Sequence, residues 1–316
     1  MIKKMITKKI LIATLALISL TLFCVFKDDS SNLNIKEQIE YVNNELLTHD
    51  IFLLDSNNYL AITKVAVENK EIESLARELL EILIIDGKGE AKIPNGFRSI
   101  IPSNTEILNV LYEESVLKVD LSKEFLDVNI SMEEKVLESI IFTLTSIEYV
   151  EKVIIYKDGE ILTNLPQSKK ILPSIFDRSY GINKKYDINN IKDIIGVTVY
   201  YINEYNDNYY YVPVTNYLND QREKISIIID ELSNNFLYTD SLMSFLNPNV
   251  RLENSKIEGD VMTLNFNNAI FNSISDKDIL EEVIYTISLS VLDNYDVKEV
   301  SFNVENEQIY KKGIEY

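Results

Sequence analysis

Tryptophan is absent from the 316 residues, and cysteine and histidine occur once each. A lone Cys24 excludes an intrachain disulfide and any cysteine-based zinc site. Ser-His-Asp or Cys-His catalysis needs an imidazole beside its nucleophile. The single His49 sits at the leading edge of the first folded region and reads as structural or solvent-exposed. Glycine is scarce, and Gly87-Lys88-Gly89 lacks the Gly-x-x-x-x-Gly-Lys-Ser/Thr spacing of a phosphate loop, so it reads as a helix end. Positive charge is scarce as well: 31 Lys and Arg face 50 Asp and Glu, for a net charge of −19. All five lysines of residues 1–27 lie where there is no acid, so the remaining body is more acidic still. Such a body repels phosphate, which excludes nucleic acid as a natural partner. Hydrophobic content of 46% nevertheless supports a packed core, and the length suits about two domains. The missing tryptophan, with frequent Asn, Ile and Lys, fits an AT-rich bacterial genome.

Lys3, Lys4, Lys8 and Lys9 precede an apolar run from Ile10 to Phe26. This pattern predicts a single membrane helix within residues 1–27, with its basic flank in the cytoplasm and the rest of the chain exported. Three fates are open. Phe23-Cys24-Val25-Phe26 offers no small-residue cleavage site. Lipid attachment at Cys24 wants a small residue before it, where the chain has Phe23. The third fate, retention as a signal anchor, fits best. The expected localisation is the cell membrane, single-pass, with the C-terminal domains extracytoplasmic.

An internal repeat organises the remainder. Ser99-Ile100-Ile101 aligns with Ser244-Phe245-Leu246, and Lys118-Val119-Asp120-Leu121 with Thr263-Leu264-Asn265-Phe266, both at an offset of 145. Leu137 to Leu144 matches Leu280 to Ile287, and Val150-Glu151-Lys152-Val153 matches Val297-Lys298-Glu299-Val300. Each copy opens on a hairpin, around Asp55-Ser56-Asn57-Asn58 and around Asn206-Asp207-Asn208. A helix near 72–84 follows, with apolar residues at i, i+3 and i+4 spacing. Strands then alternate at Leu117, Val119, Leu121 and at Met262, Leu264, Phe266. Ser131-Met132-Glu133-Glu134 and Ser275-Asp276-Lys277-Asp278 read as capping boxes for the second helices. A last strand runs through Val153-Ile154-Ile155-Tyr156.

The unit is ββ-α-ββ-α-β. The fold class is therefore α+β: two similar two-layer domains, each with two helices on one face of a mostly antiparallel sheet, after an N-terminal membrane helix. The expected division is a juxtamembrane segment at 28–48, a first domain at 49–163, a connector at 164–195 and a second domain at 196–312. Ile171, Leu172, Ile175 and Phe176 predict that part of the connector packs against a domain.

Glu133-Glu134 and Glu281-Glu282 are placed on exposed helix faces, not in a glycosidase pair. The acid-rich tip Glu204–Asn208 lacks the glycine of a calcium loop and reads as a hairpin turn. No catalytic, metal or cofactor site is expected, and the protein is read as a non-enzyme. Seven tyrosines crowd the second copy's first hairpin. Tyr209 and Tyr211 share a face that Tyr210 does not. These three are the candidate partner or glycan surface, with cross-strand pairing as the structural alternative.

The segments Ile93-Pro94-Asn95-Gly96-Phe97-Arg98-Ser99-Ile100-Ile101-Pro102, Val119-Asp120-Leu121-Ser122, Gly181-Ile182-Asn183 and Tyr211-Val212-Pro213-Val214 resemble the GerM family of sporulation and germination proteins. The resemblance implies a tandem of domains similar to the ring-building motif. It implies an extracytoplasmic assembly role in a sporulation envelope complex, with effects on later germination. Envelope or sporulation-complex proteins would be its partners, and the membrane its anchor point. Peptidoglycan binding is the alternative function. Copy two lacks the Gly-Pro segment, with Asn234–Leu246 in its place, so it is expected to lose a contact that copy one keeps.

Overall fold

A computed structural model describes residues 47–234, 242–273, 275 and 277–313. The expected membrane helix, Cys24 and nearly all of the juxtamembrane segment lie outside the described residues. Among the described residues, no helix is long and apolar enough to cross a membrane.

The first copy begins with a hairpin, β1 (Thr48–Leu54) and β2 (Leu60–Ala66), followed by helix α1 (Ile72–Leu83). Leu75, Ala76, Leu79, Leu80 and Leu83 form its buried stripe. Next come β3 (Ile107–Glu113) and β4 (Val116–Leu121), α2 (Glu133–Leu144), β5 (Lys152–Lys157) and the short β6 (Glu160–Ile161). After the connector strand β7 (Lys185–Asp187), the second copy repeats the order. Its elements are β8 (Ile194–Tyr205), β9 (Asn208–Asn219), α3 (Lys224–Ser233), β10 (Leu252–Glu258), β11 (Val261–Phe266), α4 (Glu281–Asn294), β12 (Glu299–Val304) and β13 (Glu307–Gly313). The repeating unit therefore carries one more strand than the sequence pattern indicates.

Several hairpins close on two residues in the left-handed region, as at Glu114-Ser115, Asn206-Asp207 and Glu305-Asn306. This is the turn whose twist matches flanking strands. Both copies also carry a register shift at the same place in an outer strand, at Ile107/Asn109 and at Leu252/Asn254.

The sheet arrangement departs from one sheet per domain. In each copy the second helix carries the chain over to a parallel neighbour, so β5 runs parallel to β4 and β12 parallel to β11. Crossovers of this length permit parallel pairing. These strands form the sheets β3-β4-β5-β6 and β10-β11-β12-β13. The opening hairpins leave their own copies and join in a third sheet. There β9 pairs with β8 along its whole length and, on its other side, with β2 at Ile62↔Tyr211 and with β7 in parallel.

The edges of this shared sheet are closed by helix hydroxyls and amides. Thr143 and Ser139 of α2 bond the Phe52 N–H and carbonyl at 3.0 and 2.7 Å. In copy two, Ser290 of α4 accepts from the Tyr200 N–H at 2.9 Å, and Asn294 brackets Thr198. A sheet edge so occupied offers no free ladder to a passing chain.

Neither capping box forms. Helix α2 starts at Glu133, with no side-chain cap from its N-cap residue. The Glu133 carboxylate is wholly buried and instead accepts the connector N–H groups of Gln167 and Ser168 at 2.6 and 2.9 Å. Glu133 is thus not on an exposed face, and Glu134 pairs with Lys170 and Lys184. In copy two, the helix begins only at Glu281, while Ser275 pairs with Ser273. Local competition from loop partners displaced the expected caps.

Two apolar cores result. One gathers β1, β2, α1, α2 and the connector's Leu165, Leu172, Phe176 and Ile182. The other gathers β8, β9, α3, α4 and the last sheet. Leu172 and Phe176 pack as expected, whereas Ile171 and Ile175 stay exposed.

Candidate functional site

The seam between the copies concentrates the buried polar chemistry of the chain. On β9, Pro213 has no N–H, so at that position the strand cannot donate to β2. The side chain of Asn183, held in the left-handed region at φ 47°, fills the gap. Its amide donates to the Leu60 carbonyl at 2.8 Å and the Pro213 carbonyl at 2.7 Å, and its oxygen accepts from the Leu60 N–H at 3.0 Å. One connector side chain thereby stands in for a peptide unit between the copies. Its own N–H donates to Glu138 at 2.9 Å.

Asp55, fully buried at the end of the first hairpin, is a second joint. One oxygen closes its own turn by accepting from the N–H groups of Asn57 and Tyr59, each at 2.8 Å. The other reaches the second copy, accepting from Asn203 at 3.1 Å and from the Tyr210 hydroxyl at 2.9 Å. Burial, together with the Asp55 charge, raises the Tyr210 pKa and keeps that hydroxyl a donor.

Arg178 makes the third joint. Its guanidinium lies over the rings of Phe52 and Phe142 at 5.6 and 5.1 Å. It donates to Thr145 Oγ1 at 3.2 Å and to the Phe142 carbonyl, and it pairs with Asp293 of α4. The other Asp293 oxygen accepts from the Tyr200 hydroxyl at 2.7 Å. Burial opposes the Arg178 charge, but Asp293 and the acidic surroundings outweigh it and push the pKa up. Burial and the same carboxylate push the Tyr200 pKa well up.

Beneath the connector, Glu138 and Lys184 face each other at 3.4 Å with both side chains almost wholly enclosed. Desolvation dominates at each. It raises the Glu138 pKa against the pull of Lys184, and lowers that of Lys184 against the pull of Glu138 and Glu134. The Lys184 ammonium also lies 3.4 Å from the Tyr180 ring centroid.

The Gly-Pro segment of copy one also ends at the seam. Gly96 sits at φ 93°, and a Cβ there would come within 2.7 Å of the Tyr205 ring at the tip of the second hairpin. Beside it, Phe97 packs edge-on against Tyr210. Gly96→Ala is expected to lower stability by roughly 1–3 kcal/mol, through left-handed backbone strain and the ring contact. Chemical denaturation of the single variant and of its combination with Tyr205→Ala checks this. The double variant should recover the contact portion and retain the strain.

Of the candidate tyrosines, Tyr209 and Tyr211 do share a face. Tyr209 is 48% exposed and packs edge-on against Phe245, while Tyr211 stacks on Tyr285 at 5.5 Å. Tyr210 points the other way, is buried against Phe97 and bonds Asp55, so its side chain belongs to the seam and is removed from the candidate surface. His49 sits partly buried at the start of β1, its Nδ1 3.1 Å from the Asp50 carbonyl oxygen. Desolvation lowers its pKa. Among the described residues, no group of three or more His, Cys, Asp or Glu could hold a metal ion.

Sequence reasoning missed Arg178, Asp293 and the role of Asp55. Asn183 and Pro213 stood inside the motifs that carried the resemblance, and that was the one signal available.

The family model described as Germane: Sporulation and spore germination matches residues 50–163 and 198–310. The spore germination protein GerM of Bacillus subtilis (strain 168) is 30% identical over 271 residues, covering 84% of this chain and 74% of that protein. The solved structure of the tandem GerMN domains of the sporulation protein GerM from Bacillus subtilis matches with a TM-score of 0.75 at 29% identity. That match covers 83% of this chain and 92% of the solved one.

Proposed function

The chain belongs to the Germane family of sporulation and spore germination proteins, and from that premise we propose a non-enzymatic assembly role for it. In this reading the N-terminal segment tethers the chain to the membrane, and the tandem domains support an envelope complex outside the cytoplasm. The observation that carries the reading is the seam. A shared sheet and three buried polar joints bind the copies at a fixed angle, and a protein built to space its partners needs such rigidity. The side chains of Asn183, Asp55 and Arg178 are each committed to groups across the seam.

In a spore-forming host, deletion of the gene should reduce heat-resistant spores or their germination. In-cell cross-linking of the full-length protein during sporulation should capture envelope proteins. Normal sporulation and germination in the deletion strain, with no envelope protein captured, would end this reading.

Peptidoglycan binding is the second reading, and the exposed Tyr209 beside Tyr211 favours it. Cosedimentation with purified peptidoglycan that is unchanged in a Tyr209→Ala, Tyr211→Ala double variant would count against it.

A further inference from the structure

Asn95-Gly96 is the one Asn-Gly pair in the chain. It occupies the central positions of a turn closed by the Phe97 N–H, which donates to the Pro94 carbonyl at 3.2 Å. The φ of 93° at Gly96 is the left-handed value such a turn requires at its third residue. Asn95 is exposed to solvent. No hydrogen bond among the described residues engages the Asn95 carboxamide or the Gly96 N–H. Asparagine is a thermolabile residue, and a following glycine has no Cβ to shield its own nitrogen.

We infer that Asn95 is a site of spontaneous deamidation, and that the isoaspartate it yields loosens the contact between the copies. The Gly96 nitrogen, having given its proton to hydroxide, attacks the Asn95 Cγ. A C–N bond forms there, and the carboxamide nitrogen takes a proton from water and leaves as ammonia. The product is a five-membered succinimide. Water then opens the ring at either carbonyl. In sum one water is consumed and one ammonia released, and nothing is oxidised or reduced. One opening gives ordinary aspartate. The other routes the main chain through the former side chain and lengthens it by one carbon just before Gly96.

That added carbon matters because of what the turn touches. Gly96 lies so near Tyr205 of the second copy that even a Cβ would come within 2.7 Å of its ring. The next residue, Phe97, packs edge-on against Tyr210 with centroids 5.0 Å apart. A longer main chain shifts both against the second hairpin, in a region with no slack. The new carboxylate also enters a hollow lined by Asp86 and Glu90. Arg98 lines it too, but its guanidinium already donates to the Asp55 carbonyl and to Asn58.

The test incubates the full chain in detergent micelles at mildly alkaline and mildly acidic pH. Trypsin, which cuts after Lys92 and Arg98, then releases residues 93–98 as one peptide, with freshly prepared protein as the baseline. Mass spectrometry should show that peptide heavier by one mass unit and split into two new chromatographic peaks, one of them labelled by isoaspartyl methyltransferase. Conversion should rise in proportion to hydroxide concentration. Asn95→Gln should abolish it at this position, because its longer side chain would have to close a six-membered ring. The isoaspartyl form, separated by ion exchange, should melt below both the fresh protein and Asn95→Asp, which carries the charge without the extra carbon.

If residues 93–98 stay unchanged in the folded chain over a period in which a blocked peptide of the same sequence converts, the inference is overturned. It is overturned equally if the isoaspartyl form melts together with Asn95→Asp, since the lengthened main chain would then not disturb the seam. Either outcome leaves the assembly reading standing.

Discussion

Arg178→Ala should lower the unfolding free energy by about 3 kcal/mol, the lower end of the cost of breaking a buried ion pair. The lower end applies because 26% of the Arg178 side chain is accessible, against 6% for Asp293. The loss has three parts. Asp293 loses its guanidinium partner and is left with the Tyr200 hydroxyl. The faces of Phe52 and Phe142 lose the guanidinium that covers them. The Phe142 carbonyl and Thr145 hydroxyl lose a donor. For a folded body of this size, the loss corresponds to a fall in melting temperature of about 6 °C. Lysine should not rescue, since an ammonium cannot reproduce a planar fork that stacks on two rings while donating in three directions. A double-mutant cycle with Asp293→Ala should return a coupling well above that of a surface pair, which is usually under about 1 kcal/mol. Arg178 joins copy-one rings to a copy-two helix, so its loss should also change the form of unfolding. Calorimetry of the parent should give one transition, and the variant should separate toward two. An undiminished melting temperature in Arg178→Ala would remove the polar joint from the account of the seam.

What the sequence made legible was whatever repeats locally. The duplication, the two opening hairpins, helix α1 and the alternation of β4 and β11 follow from spacing within a few residues, and each is present in the fold. The opposite faces of Tyr209 and Tyr210 follow from the pleat of one strand. The pairing of β2 with β9 joins residues 149 positions apart through one registered pair, and no periodicity encodes it. Glu133 shows how a local rule fails. Its place in a Ser-x-x-Glu pattern suggested an exposed helix start, but two connector N–H groups needed an acceptor, and the carboxylate turned inward to them. Arg178 lay in the segment 164–195, which read as a connector between the copies. Its value comes from three segments that meet only after folding.

The asymmetry of the repeat has a physical reading on the same terms. Copy one keeps the Gly-Pro segment because Gly96 and Phe97 receive the tip and flank of the second hairpin. The described end of the equivalent stretch in copy two packs on its own hairpin instead, where Met243 and Ile202 exchange backbone hydrogen bonds at 2.8 and 2.7 Å and Phe245 lies edge-on to Tyr209.

Asn183 offers the sharpest test of the seam, because its job is set by a missing atom. Pro213 cannot donate, so the two copies lack one peptide hydrogen bond where their sheets meet, and the Asn183 amide supplies donors and an acceptor in its place. Asn183→Ala should cost about 3–4 kcal/mol, since it strands the Leu60 N–H and carbonyl and the Pro213 carbonyl, at roughly 1 kcal/mol or more each. Asn183→Asp, nearly identical in shape, should be at least as damaging: it keeps the acceptor for Leu60 and aims a carboxylate oxygen at two carbonyls. Asn183→Gly separates the side chain from the backbone, because glycine accepts the φ of 47° without strain and still loses all three bonds. The expected order of stability by denaturant titration is parent, then Gly, then Ala, with Asp no better than Ala. If Asp matched the parent, the amide would not be the donor to Pro213. The fixed angle between the copies, on which the assembly role depends, would then have to come from the shared sheet and from the Asp55 and Arg178 joints.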